Sequence, residues 1–154
     1  MSRSLLQNVY LFKTLSNTDL DGVSALCEAQ TFSAGDTIFI KGEQAKALYL
    51  IKYGSIKIQQ STSTGDALDV ATLAMGSHFG EMAFVDGEPR SASAVAVERT
   101  ELVVLPYEKL STFLSRNQDV AVNFYRELAH FLCGRLRVTT HDLGYAREKN
   151  LSHF

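Results

Sequence analysis

The 154-residue sequence predicts a mainly β domain with flanking helices: an antiparallel β jelly-roll barrel, a short helical lead-in and a long C-terminal helix. Three observations predict it. Apolar residues recur at helical spacing up to about residue 29; between 30 and 105 the pattern changes to short, often alternating runs broken by glycine or polar turns; and after Asn117 helical periodicity returns without proline.

In the lead-in (1–29), Leu5, Val9, Leu11, Phe12, Leu15, Leu20, Val23, Leu26 and Cys27 hold helical spacing, and Ser16-Asn17-Thr18-Asp19 offers an N-cap between two short helices. The strand region (30–105) contains the runs Thr31-Phe32, Thr37-Ile38-Phe39-Ile40, Leu48-Tyr49-Leu50-Ile51, Ser55-Ile56-Lys57-Ile58, Leu68-Asp69-Val70-Ala71, Val95-Ala96-Val97 and Leu102-Val103-Val104. A double sheet of roughly eight such strands hides its edges and leaves an apolar mouth for a small ligand. Ile58 and Val70 are candidate walls of that mouth, with ordinary core as the alternative. Pro106 ends the last strand and marks a hinge; residues 107–114 then read as a short amphipathic helix turning Leu110, Phe113 and Leu114 inward. From Asp119 to about Tyr145 runs a helix with two apolar stripes. Phe124, Leu128, Phe131 and Val138 make the one expected to dock on the barrel; Leu132, Leu136, Thr139 and Leu143 repeat at spacings of four, three and four, as a two-helix seam does, and predict a homodimer. Gly134 weakens that helix by about 1 kcal/mol of propensity. Residues 106–145 are thus hinge and lid or dimer helices, 146–154 a tail, and 1–154 a single domain.

An apolar share of 45%, a charged share of 21% and a net charge of −2 describe an ordinary soluble protein with no excess of base to attract nucleic acid. Cys27 and Cys133 lie far apart in apolar helical patterns and are expected as buried thiols, not as a disulfide or metal pair. No apolar run approaches the roughly 20 residues that span a bilayer, and Met1-Ser2-Arg3 precedes no signal-peptide core, so a cytoplasmic chain is expected. A metal-dependent barrel enzyme would need clustered ligands on adjacent strands. Only His78 lies in the strand region, while His130 and His141 belong to the long helix and His153 to the tail, so neither metal nor enzymatic activity is expected.

Residues 76–94 carry the chemistry. There Gly76, Gly80, Glu81 and Arg90 interrupt a segment that otherwise reads as apolar β interior. A guanidinium between apolar runs is costly to bury unless an anion answers it, and its planar fork matches phosphate. Gly80 lets a ligand approach the backbone, and residues 81–84 can form a helical turn with free N–H groups. Glu81 would repel a phosphate, so its partner is a neighbouring hydroxyl such as a ribose 2′-OH. Together these groups describe a sugar phosphate.

Phe79-Gly80-Glu81-Met82-Ala83 followed by Pro89-Arg90-Ser91-Ala92 resembles the phosphate-binding cassette of cyclic-nucleotide-binding domains, with both halves in order and flanked by glycine turns at Gly35, Gly42, Gly54 and Gly76. The resemblance implies that Gly80 and Glu81 hold the ribose and phosphate side, that Arg90 pairs with the cyclic phosphate, and that backbone around Ser91 and Ala92 adds donors; Ile58 and Val70 would then face the base. Residues 134–143 resemble the dimerising long helix of catabolite-activator-type regulators, which implies that Thr139 and Thr140 sit over the base, one from each chain. On that basis cyclic AMP is the expected ligand. Cyclic GMP is the alternative, since Ser91 could serve a guanine amino group. Regulators of that type carry a helix-turn-helix after the long helix, whereas residues 144–154 are too few for one, so direct DNA binding is not expected. The resulting expectation is a stand-alone sensor that signals by moving its C-terminal helices toward a partner protein or across a homodimer. The alternatives are a nucleotide-free interaction module of the same fold, or a sensor fragment of a larger regulator.

Overall fold

In the computed structural model, residues 3–151 are described, with side chains through 148. The lead-in comprises α1 (Arg3–Gln7), a 3-10 turn at Tyr10–Phe12 and α2 (Asn17–Ser24). Ser16 caps α2 as its sequence suggests, its side chain accepting from the Asp19 N–H at 3.2 Å. Eight strands follow: β1 (Glu28–Phe32), β2 (Thr37–Phe39), β3 (Ala47–Tyr53), β4 (Ser55–Ser61), β5 (Ala67–Ala74), β6 (His78–Phe79), β7 (Ser93–Ala96) and β8 (Thr100–Pro106). Between β6 and β7 lies α3 (Met82–Asp86), and after β8 come α4 (Tyr107–Arg116) and α5 (Gln118–Leu151).

The strands form two four-stranded antiparallel sheets, ordered β1-β8-β3-β6 and β2-β7-β4-β5. Strands that follow one another in the chain mostly cross between sheets, with β4–β5 the adjacent hairpin; this is the double sheet of a jelly roll. One apolar core lies between the sheets and includes Phe39, Ile51, Ile56, Phe79, Ala94 and Leu102. A second lies between the first sheet and the helices, where Leu48, Leu50, Val103 and Leu105 meet Leu6, Phe12, Leu20, Leu110, Val120, Phe124 and Leu128. The first sheet is therefore covered on both faces. That is why the β3 run Leu48-Tyr49-Leu50-Ile51 is continuously apolar while β4 and β5 are not.

Several sequence expectations need correction. The helical lead-in stops short of residue 29, because β1 begins at Glu28 and pairs with β8. β6 was not among the expected runs: two residues show no periodicity, and only their pairing with Tyr49 and Leu50 makes them a strand. Cys133 is exposed rather than buried; Cys27 is half-buried, and desolvation pushes its thiol up to about 11. Val138 is exposed and does not dock, whereas Leu132, expected on the outer seam, packs against the helical core with Phe131. α5 runs through Gly134, beside which an added Cβ would meet nothing within 4 Å, and it continues past residue 145 into the expected tail. His153 lies outside the described residues.

Candidate functional site

The site begins at β6. Phe79 is buried, its ring stacked on Tyr49 with centroids 5.1 Å apart, and the chain then turns at Gly80 with φ of +85°. A Cβ at Gly80 would lie 2.8 Å from Arg90 Nη1 and 3.2 Å from the Ala47 carbonyl oxygen, so both conformation and space require glycine there. α3 starts at Met82, behind Glu81 at the N-cap position, one residue later than the expected turn. The Glu81 side chain makes no capping bond. Instead it reaches the buried His78, with Oε2 at 3.5 Å from Nδ1. Gly87 closes α3 in the left-handed region, its N–H donating to the Ala83 carbonyl at 2.9 Å.

The chain then enters the turn that presents Arg90. Its N–H donates to the Glu43 carbonyl and its carbonyl accepts from the Gly42 N–H, both at 2.8 Å, which pins residue 90 to the loop after β2. One residue on, Gln60 Nε2 donates to the Ser91 carbonyl at 2.6 Å. In a trans peptide C=O and N–H point opposite ways, so the Ala92 N–H points away from Gln60, and Ala92 itself lines the cleft.

Arg90 is 6% exposed. Its Nη1 donates to the Gly80 carbonyl at 3.2 Å and to Tyr107 Oη at 3.1 Å, its Nη2 donates to the Ala47 carbonyl at 2.7 Å, and its guanidinium carbon sits 4.1 Å from the centroid of the Phe39 ring. Every acceptor it has among the described residues is an uncharged oxygen. Neutral dipoles and ring faces orient a buried cation but do not neutralise it. Nε and one N–H of Nη2 are not used by these three bonds and form one edge of the guanidinium fork, and the Tyr49 hydroxyl, which also interacts with Arg90, is another neutral group. Tyr107 and Tyr49 both have phenol pKa values raised by desolvation, so their hydroxyls stay neutral donors and acceptors.

These residues line a cleft with about 160 Å³ of internal room that opens to solvent. Phe79, Gly80, Glu81, Met82, Ala83, Arg90, Ser91, Ala92 and Ile58 all contribute to it. Three candidates do not. Val70 is 52% exposed, in an exposed first half of β5, and is the extra residue of a bulge: Ile58 pairs with Ala71 and Gln59 with Asp69, leaving Val70 without a strand partner, and it does not line the cleft as Leu73 does. Thr139 and Thr140 are exposed and lie at least one helical turn beyond Arg135, the last α5 residue to line the cleft.

Sequence reading missed Phe39, Leu73, His78, Phe131 and Arg135 as lining, and Ala47 and Tyr107 as partners of Arg90. The signal for Phe131 and Arg135 was present in their i, i+4 spacing, one turn before the threonines. Nothing local marks Ala47 or Tyr107. His78 has neither ring nitrogen in a hydrogen bond among the described residues and packs 4.3 Å, centroid to centroid, from Phe131. Among the described residues no three of His, Cys, Asp and Glu cluster as metal ligands, and no helix is long and apolar enough to cross a membrane.

The family model of the cyclic nucleotide-binding domain matches residues 29–117. The cyclic AMP receptor protein of Thermus thermophilus is 36% identical over 127 residues, covering 82% of this chain and 57% of that protein. Human cGMP-dependent protein kinase 2 is 31% identical over 133 residues, covering 86% of this chain and 16% of the kinase. In structure, the catabolite activator protein of Thermus thermophilus superposes with a TM-score of 0.78 at 33% identity, covering 87% of this chain and 61% of that one. The N-terminal domain of a transcriptional regulator from Streptomyces coelicolor gives 0.76 at 26% identity, covering 90% and 94%. The chain thus spans well under two thirds of either curated relative named here.

Proposed function

The chain belongs to the cyclic nucleotide-binding domain family, and within it we propose that this protein is a sensor that binds cyclic AMP in preference to cyclic GMP, without turning it over. The observation that carries the reading is Arg90: a buried guanidinium whose partners among the described residues are all neutral, and whose Nε and second Nη2 N–H are left over by its bonds to Gly80, Tyr107 and Ala47. A cyclic phosphate supplies the missing charge in bidentate form. The Ala92 N–H adds a neutral donor, and the Glu81 carboxylate, uncommitted to helix capping, accepts from the ribose 2′-OH. The base then rests against Ile58 and Leu73, beneath Phe131 and Arg135 of α5.

This arrangement also supports a signalling route. The cleft is walled by the sheets on one side and by α5 on the other, so a ligand touching both rewards one position of α5 over others. The shift is bounded by the difference in affinity between the two positions, typically about 1 to 3 kcal/mol. A homodimer through the exposed face of α5, at Leu136, Thr139 and Leu143, would carry that shift to a second chain and bring a partner's threonines toward the base.

A melting scan of the full chain in buffer, cyclic AMP and cyclic GMP tests the reading. Ligand at 100 times its dissociation constant stabilises a native state by about 2.7 kcal/mol, a shift readily resolved. Cyclic AMP is expected to give the larger shift at equal concentration, and Glu81→Ala to shrink it while leaving a 2′-deoxy analogue nearly unaffected. No shift with either nucleotide contradicts the proposal, and a larger shift with cyclic GMP reverses the choice of ligand.

A further inference from the structure

The cation of the cleft is held in part by a residue of the helices. Tyr107 is the first residue of α4, directly after Pro106 ends β8. Its N–H donates to the Lys46 carbonyl at 2.9 Å, next to Ala47, whose carbonyl takes Arg90 Nη2. Its ring meets Phe84 of α3 with centroids 5.3 Å apart. Its hydroxyl accepts from Arg90 Nη1 and donates to the Gly80 carbonyl, closing a triangle with the bond from Nη1 to that same carbonyl.

We propose that Tyr107 is a positioning residue for the phosphate site and the link through which occupancy of that site reaches α4. The proposal rests on the cyclic nucleotide reading above. Both N–H groups of Nη1 are spent within the triangle, so the hydroxyl helps fix the rotation of the guanidinium and thereby the direction of its Nε/Nη2 edge. An anion taken on that edge pulls on a group whose opposite side is tied to α4. Arg90 cannot move toward it without lengthening the bond to Tyr107 or drawing Tyr107 along. The Gly80 carbonyl belongs to the peptide that leads into Glu81, so the ribose side of the site shares the same junction. A phenylalanine at 107 would keep the contact with Phe84 and lose the junction, which separates positioning from packing.

The test uses the full chain as wild type, Tyr107→Phe, Arg90→Ala and the double variant. Without ligand, Tyr107→Phe is expected to lower the melting temperature more in the wild-type background than in Arg90→Ala, because the hydroxyl then loses a guanidinium partner; equal losses in both backgrounds overturn the link. With cyclic AMP, Tyr107→Phe is expected to weaken binding about tenfold, the scale of one hydrogen bond to a charged group. It should also shrink the ligand-induced change in hydrogen exchange at the first amides of α4. Unchanged affinity and an unchanged exchange response overturn the proposal while leaving the nucleotide reading intact. If wild type binds neither nucleotide, the functional reading fails instead, and the ligand-free cycle alone decides whether Tyr107 positions Arg90.

Discussion

The two halves of α5 both carry large apolar residues and meet opposite fates. Val120, Phe124 and Leu128 in the first half are buried against the lead-in and α4, with Phe124 1% exposed and stacked on Phe12 at 5.7 Å. Beyond Leu132 every described side chain is exposed, including Leu136 at 66%, Val138, Leu143 and Tyr145. Periodicity is a property of the helix alone, whereas burial needs a second surface, and the domain supplies one for only the first half. The helix is 34 residues long, about 51 Å at 1.5 Å per residue, so much of it extends past what the sheets can cover. The cleft sits at the changeover, where Phe131 and Arg135 are its helix-side wall.

The largest expected difference between the halves is in folding. Phe124→Ala should destabilise the domain by about 3–5 kcal/mol, as truncating a buried aromatic does, while Leu136→Ala should stay within about 0.5 kcal/mol for the isolated chain in chemical denaturation. Equal losses would mean that the second half is covered within the chain. The proposed seam gives the next contrast: if wild type forms a dimer by light scattering, Leu136→Asp should yield monomers, since a carboxylate in such a seam has no partner. A wild type that stays monomeric at high concentration with and without ligand removes the seam.

Two smaller effects sharpen the boundary. Replacing Thr139 and Thr140 together by valine should cost about 1–3 kcal/mol of cyclic AMP affinity if a second chain brings these hydroxyls to the base, and nothing if they remain surface groups as in one chain. Gly134→Ala, in open space on a helical backbone, should stabilise the chain by about 0.5–1 kcal/mol if the second half stays helical in solution. No gain in helical signal or melting temperature would indicate that the helix frays near Gly134.

Much of the fold was legible because its signals are local. Glycine turns, alternating runs and the proline-free C-terminal segment each declare themselves within a few residues, and so do Gly80, Glu81 and Arg90. What escaped depends on contacts distant in the chain. The Ala47 carbonyl and the Tyr107 hydroxyl are 43 and 17 residues from Arg90, and neither residue type is distinctive where it stands. Val70 fits an alternating pattern on paper, but it is the extra residue of a bulge, and Leu73 lines the cleft instead. The second half of α5 escaped for a third reason: an apolar stripe says that something should cover it, without saying whether that surface belongs to the same chain.

Calorimetric titration of cyclic AMP into wild type and Arg90→Ala tests the central claim most directly. The account predicts saturable binding at one site per chain for wild type. For a folded Arg90→Ala it predicts a loss of at least a hundredfold, the scale of a charge-assisted pair in a largely desolvated site. Equal affinity in the two proteins, or no binding by wild type, would contradict it.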